Sequence, residues 1–393
     1  MSRTRWVLVG TFFALIAVVL APRSKPEGPF VPASPDEVVE TVAVGGQARK
    51  ARAAARAALE NKPDDVASAV KLARGYLDAA RSEGNDVRLI GRAQAALAPW
   101  WTVVEAPADV RLLRATIKQS LHDFAGARAD LDALVAANPE DAQAWITRAT
   151  VAQVVGDYAE AEKSCAALAG RSAALVEIVC RAPLQGLRGE AGAAAASIDA
   201  ALATLKAGKL QGWALSVAGE LRWWANELPA AEENFAGALQ QDPQDDYTRG
   251  AWADLLLDTN RPLEAVKLLL GRESNDALLL RLCLAQRLGK LEPSACAVLA
   301  ERVAATRQRG DTVHRREESR YALHVEEDAA KALALAEENF KVQREPADVR
   351  VLLEAALEAD RPAAAAPALA WMKSTTFQWQ PLRELVKQLE AAR

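Results

Sequence analysis

Two neighbouring segments of this chain, residues 108–141 and 142 onward, align without a gap, and the resulting 34-residue period constrains the fold more than any other feature. A fixed period in the range of about 20–50 residues marks supersecondary units that bury their apolar faces by stacking on one another. In the first segment the order is a helix, a turn at His122 and Asp123, aromatic Phe124, small Ala127, apolar Leu131 and Pro139. In the second, Trp145 and Ala149 precede a turn at Gly156 and Asp157, then Tyr158, Ala161, Cys165 and Leu168. A second pair begins at Gly212: Gly219, Ala231, Phe235, Ala238 and Pro243 are followed by Ala253 and Ala265, with Gly219 and Ala253 again 34 apart. Weaker units cover 175–205, with a turn at Gly189 and Glu190, and 274–306, with a turn at Gly289 and Lys290. The phrase PADVRLLRA from Pro107 returns as PADVRVLLEA from Pro346, a separation of 239 against 238 for seven periods. Residues 46–63 read as a half repeat, 66–99 as a full repeat with a lengthened turn, and 381–392 as an amphipathic cap. Alanine supplies much of the 51% hydrophobic content while aromatics reach only 5%, which favours closely approaching helices over a β-rich core.

These residues resemble the tetratricopeptide-repeat (TPR) family, whose pattern places Trp near position 4, small residues at 8 and 20, Gly-Asp-Tyr at 15 to 17 and Pro at 32. The resemblance implies an all-α TPR α-solenoid, a right-handed superhelix of helix hairpins, over residues 46–393 with about eight to nine repeats, irregular and capping units included. Small residues at positions 8 and 20 let the two helices of each hairpin approach. The segments AQAALAPWW, LRATIKQSLHDF and AQAWITRATV further resemble an uncharacterised bacterial family of membrane-anchored or exported TPR proteins.

In TPR proteins the concave groove is lined by positions 2, 5, 9, 12 and 13 of each first helix. By that resemblance Trp213, Ser216, Glu220, Trp223 and Trp224, then Tyr247, Gly250, Asp254, Leu257 and Asp258, face the groove. Such an aromatic and acidic wall suits a peptide with apolar anchors and Lys or Arg. The alternative is that Trp223 and Trp224 fill space between irregular repeats, since tryptophan is highly buried on average. Trp100 and Trp101 after Pro99 divide between the same two roles. A clamp for an acidic tail does not fit, because the equivalent sites of the earlier repeats hold Asp109, Leu112, Thr116, Gln143, Ile146 and Thr150.

Ahead of the repeats, Arg3 and Arg5 precede an uncharged run over 6–21, WVLVGTFFALIAVVLA, about 24 Å long as a helix. Its length fits either a signal anchor or a cleaved secretory signal. Pro22 after the cleavage position favours the anchor, and the absence of a following cysteine excludes a lipoprotein. The expected order is a cytoplasmic N-terminus at 1–5, one N-terminal membrane helix at 6–21, a proline-rich spacer at 22–45 and the solenoid at 46–393 in the periplasm of a bacterium. Cleavage would instead release a soluble periplasmic body. The cysteines form two local pairs, Cys165 with Cys180 and Cys283 with Cys296. An exported body would bond both, whereas a cytosolic one would bury four small thiols.

A net charge of −4 provides no basic field for nucleic acid. Histidines 122, 314 and 324 and the cysteines lack metal-ligand spacing, and no Gly-x-Ser-x-Gly or Gly-x4-Gly-Lys-Ser/Thr segment occurs. No cofactor, metal or catalytic set is expected. The charge run RREESR, 315–320, reads as a solvated helix face. The sequence therefore points to a non-enzymatic scaffold or adaptor at the inner membrane that holds a peptide or protein partner, for example during assembly or quality control of an envelope complex. The rival role is an accessory subunit of a membrane enzyme or transport system.

Overall fold

The computed structural model describes residues 46–82, 87–203, 208–310 and 313–391, so the apolar run 6–21 and the spacer 22–45 lie outside the described residues. Within them there is no strand, and no helix is long and apolar enough to cross a membrane. A first helix, α1 (Gly46–Asn61), leads into α2 (Val66–Ser82) and α3 (Val87–Ala96). Hairpins then follow in order: α4 (Ala108–Ser120) with α5 (Phe124–Ala137), α6 (Ala142–Val154) with α7 (Tyr158–Ala166), and α8 (Ala174–Gln185) with α9 (Ala191–Leu202). They continue as α10 (Lys209–Trp224) with α11 (Leu228–Gln241), α12 (Asp246–Asp258) with α13 (Pro262–Leu269), and α14 (Asp276–Leu288) with α15 (Ser294–Arg309). The last are α16 (Arg315–His324) with α17 (Ala329–Val342) and α18 (Pro346–Glu358) with α19 (Ala366–Thr375), after which α20 (Gln380–Ala391) closes the described chain.

Each turn between the two helices of a hairpin from α4 onward is marked by one left-handed residue: His122, Gly156, Gly189, Asn226, Asn260, Lys290, Glu327 and Asp360. Their spacings are 34, 33, 37, 34, 30, 37 and 33, so long and short units compensate and the register returns to seven full periods. A left-handed residue lets the chain leave one helix and re-enter the next within a few residues. At the turn expected around Gly289 and Lys290 it is Lys290 that takes the left-handed conformation, while Gly289 keeps negative φ, and a Cβ there would stand 3.5 Å from Pro262 Cβ. Between α8 and α9 the helix runs on through residues 186–190 and breaks only at Gly189. Aspartates start several helices: Asp123, Asp141, Asp157, Asp245 and Asp328 each accept a hydrogen bond from a backbone N–H of the first turn.

Packing inside a hairpin follows the small positions. Ala127, Ala149, Ala161, Ala231, Ala253 and Ala265 are all fully buried, as the close approach of paired helices requires. Arg114 and Arg148, 34 apart, tie first helix to second through Asp130 and through Asp132, Glu160 and Ser164 respectively. Arg114 also donates to the carbonyls of Trp100, Trp101 and Val103, so the Trp100–Trp101 loop belongs to the core of the first hairpins.

The solenoid then closes on itself. The Arg344 amide donates to the Val154 carbonyl at 2.8 Å, and the Tyr158 hydroxyl donates to the Arg344 carbonyl at 3.0 Å. Trp371 Nε1 in turn donates to the Tyr158 hydroxyl at 2.6 Å, joining residues 213 apart in sequence. Burial pushes the Tyr158 phenol up to about 12, which keeps it protonated as the donor. One core cluster accordingly runs from Leu187, Trp223, Phe235 and Leu255 to Trp371, Phe377, Trp379 and Leu389.

Candidate partner groove

The predicted groove residues divide into three groups in space. Trp213 and Trp224 are both half-buried against the cluster of Leu175, Val179 and Ile198. Trp223 and Trp224, at the end of α10, are covered by the chain's own segment between α19 and α20. Phe377 meets Trp224 edge to face at 5.1 Å, and Trp379 meets Trp223 in the same way at 4.9 Å. Phe377 and Trp379 are two residues apart with exposed Gln378 between them, so alternate side chains of this short linker reach inward. Arg350 of α18 lies over the Trp379 ring at 5.5 Å.

Asp254 and Asp258 of α12 are engaged by arginines from three later helices. Arg281 Nη2 lies 2.6 Å and Arg320 Nη2 2.9 Å from the Asp254 carboxylate, while Arg350 holds Asp258 through both Nη atoms at 2.7 and 2.8 Å. Burial opposes the Asp254 charge, but the two guanidiniums outweigh it and hold the carboxyl below its usual range. Arg350 also bonds Glu354, whose carboxyl is held down to about 2 against burial by Arg350 and His324. The residues of 315–320 are half-buried or buried, and Arg316 and Arg320 turn into this network instead of lying on a solvated face. Arg316 pairs with Glu317, Glu345 and Asp348. A helix carrying mostly charge can line the concave side of a solenoid because its ions find partners on neighbouring first helices.

Glu220 and Tyr247 form the third group. The Tyr247 hydroxyl donates to Glu220 Oε1 at 2.7 Å, bridging α10 and α12. Tyr247 remains 65% exposed, so its ring is open to solvent. The low-dielectric wall pushes the Glu220 carboxyl up to about 7, aided by repulsion from Glu345 and Asp245, with the Tyr247 hydrogen bond and Arg316 pulling the other way. Around this pair the wall carries Glu220, Asp254, Asp258, Glu317, Glu345 and Glu354 against Arg281, Arg316, Arg320 and Arg350, leaving it net acidic. His122, on the α4–α5 turn, stacks on Phe124, and burial, then His314 and Arg316, push it down to about 4.

Sequence positions alone did not bring out the arginines that neutralise part of the wall, nor Phe377 and Trp379. The run RREESR carried the first signal, and the alternating Phe-Gln-Trp before the last helix carried the second. Among the described residues no cluster of His, Cys, Asp and Glu could hold a metal ion.

The chain matches no family model and no curated protein. Among solved structures it is similar to a chain of the APC/C hetero-tetramer Cut9-Hcn1, at 15% identity and TM-score 0.38 over 79% of this chain, which spans about half (52%) of that one. It is also similar to yeast Tom70, at 13% identity and TM-score 0.40 over 88% of this chain and 85% of that one. Human IFIT1 gives 12% identity and TM-score 0.40 over 88% and 86%.

Proposed function

We propose that the chain is a TPR scaffold that binds an extended peptide bearing Lys or Arg in the channel walled by α10, α12, α16 and α18. The observation that carries this reading is the Tyr247–Glu220 pair. Its aromatic face is open to solvent and its carboxylate lies on a wall with an excess of acidic groups, so a cationic side chain would meet both an aromatic surface and negative charge. The neighbouring Trp223 and Trp224 surface is already filled by Phe377 and Trp379, so recognition rests on the tyrosine and the acidic wall.

In this reading residues 6–21 anchor the chain in a bacterial inner membrane and the solenoid lies in the periplasm. Cysteine pairs at bonding distance on adjacent helices support that placement, because structural disulfides persist in oxidising compartments. The groove is tested by measuring the affinity of Lys- and Arg-bearing peptides for the full chain and for a variant carrying Tyr247→Ala and Glu220→Gln. Affinity is expected to fall at least about tenfold with helicity unchanged; equal affinity for the two proteins discards the site.

A further inference from the structure

The seam where the solenoid closes carries a cleft that none of the predicted groove residues lines. A cleft of about 780 Å³ opens between the α6–α7 turn, α17 and α19. Its floor is apolar, formed by the buried Phe340, Leu352 and Trp371. Tyr158 closes one end, with its hydroxyl committed to Arg344 and Trp371. Two exposed cations, Lys341 and Arg344, stand on the rim, and among the described residues neither side chain has an ion-pair partner. Arg344 reaches its place by lying over Gly156, where a Cβ would stand 3.2 Å from Arg344 Cδ. The sole acidic lining residue, Glu337, leaves the rim net positive.

We propose that this cleft docks a peptide segment of a partner protein in which Asp or Glu stands beside a large apolar side chain. The apolar side chain would cover Trp371 and Leu352, and the carboxylate would face Lys341 and Arg344. Charge complementarity fixes the sign of the ligand, since an apolar floor alone accepts any hydrophobe whereas two unpaired cations beside it select an anion. A chain segment fits better than a small molecule for a geometric reason. The rim residues Pro367, Ala370 and Ser374 are exposed along one side, so a compact ligand would stay partly wet, while small-molecule sites enclose about 70–90% of their ligand. Such a segment touches both sides of the seam, joining parts of the chain 186 residues apart that otherwise meet here through few hydrogen bonds. The cleft and the channel select opposite charges, so the two sites take different segments.

Random heptapeptides displayed against the full chain, with counter-selection against a Lys341→Glu, Arg344→Glu variant, test the assignment. Both residues are exposed, and circular dichroism checks that the variant keeps its helicity. The retained sequences are expected to carry Asp or Glu next to Leu, Ile, Phe or Trp. A synthetic retained peptide should lose at least about tenfold in affinity for the charge-reversed protein. It should lose a similar factor for Ala370→Trp, which fills the cleft without touching the cations, and should keep its affinity for Tyr247→Ala. Failure to retain any sequence, retained sequences without an acidic residue, or undiminished binding to Ala370→Trp would each overturn the proposal.

Discussion

At the scale of single residues, a small residue on the first helix of a hairpin meets a buried residue on the second. Sixteen residues separate each small position from the side chain it faces in four repeats: Ala115 and Leu131, Ala149 and Cys165, Gly219 and Phe235, Ala253 and Leu269. All of these facing side chains are at most 1% exposed. Glycine occurs where the facing residue is the largest, because a Cβ on Gly219 would stand 2.6 Å from Phe235 Cδ1 and Cε1. Alanine normally stabilises a mid-helix glycine site by roughly 0.5–1 kcal/mol. Here overpacking, at about 1–3 kcal/mol, wins. Gly219→Ala is therefore expected to lower stability in urea unfolding, and Phe235→Leu in the same chain should restore part of the loss through a favourable coupling. Additive effects of the two substitutions would show that the contact does not set the residue choice. The small half of this contact was legible once the period was known, but which side chain faces it was not, because that depends on how the two helices pair.

At the scale of elements, two disulfides each fasten one helix to its neighbour. The nine-residue α7 carries Cys165 bonded to Cys180 of α8, with the Cα atoms 5.5 Å apart. Cys283 of α14 and Cys296 of α15 are bonded across one hairpin at 4.8 Å between Cα atoms. Closing loops of this length removes unfolded-state freedom equivalent to about 3 kcal/mol per bond. Reduction should move the urea midpoint down, and a Cys165→Ala, Cys180→Ala variant should lose only its share of that shift. If intact-mass analysis after alkylation without reductant finds four labelled thiols, both bonds and the exported location fail together. The pairing was readable from the spacing, but oxidation was not, because it depends on the separation of two helices that the sequence does not measure. The inward turn of Arg316 and Arg320 was hidden for a similar reason: their partners Asp254, Glu345 and Asp348 come from other hairpins.

At the scale of the whole molecule, closure changes how stability is shared. A repeat array ordinarily adds nearest-neighbour terms, so its last helix can fray without consequence for the middle. In this chain Trp379 and Phe377 join the same core as Trp223 of α10, and the seam ties Val154 to Arg344. Trp379→Ala is expected to cost about 3–5 kcal/mol and to raise hydrogen exchange in α10 as well as in α20. Faster exchange confined to α20 would mean that the C-terminal segment is only a terminal cap.

The sequence by itself determined the hairpins, their period and the small residues between paired helices, because those depend on contacts a few turns apart along the chain. The resemblance placed Glu220 and Tyr247 on the same expected groove face, but their hydrogen bond came from the structure. The tertiary structure alone decided that Trp223 and Trp224 are covered, that Asp254 and Asp258 are neutralised, and that a cationic cleft forms beside Trp371. Each of these depends on the accumulated curvature of many stacked units. Repeat lengths that range from 30 to 37 residues set that curvature through small differences at every turn, and no local pattern reports where their total brings two distant hairpins together.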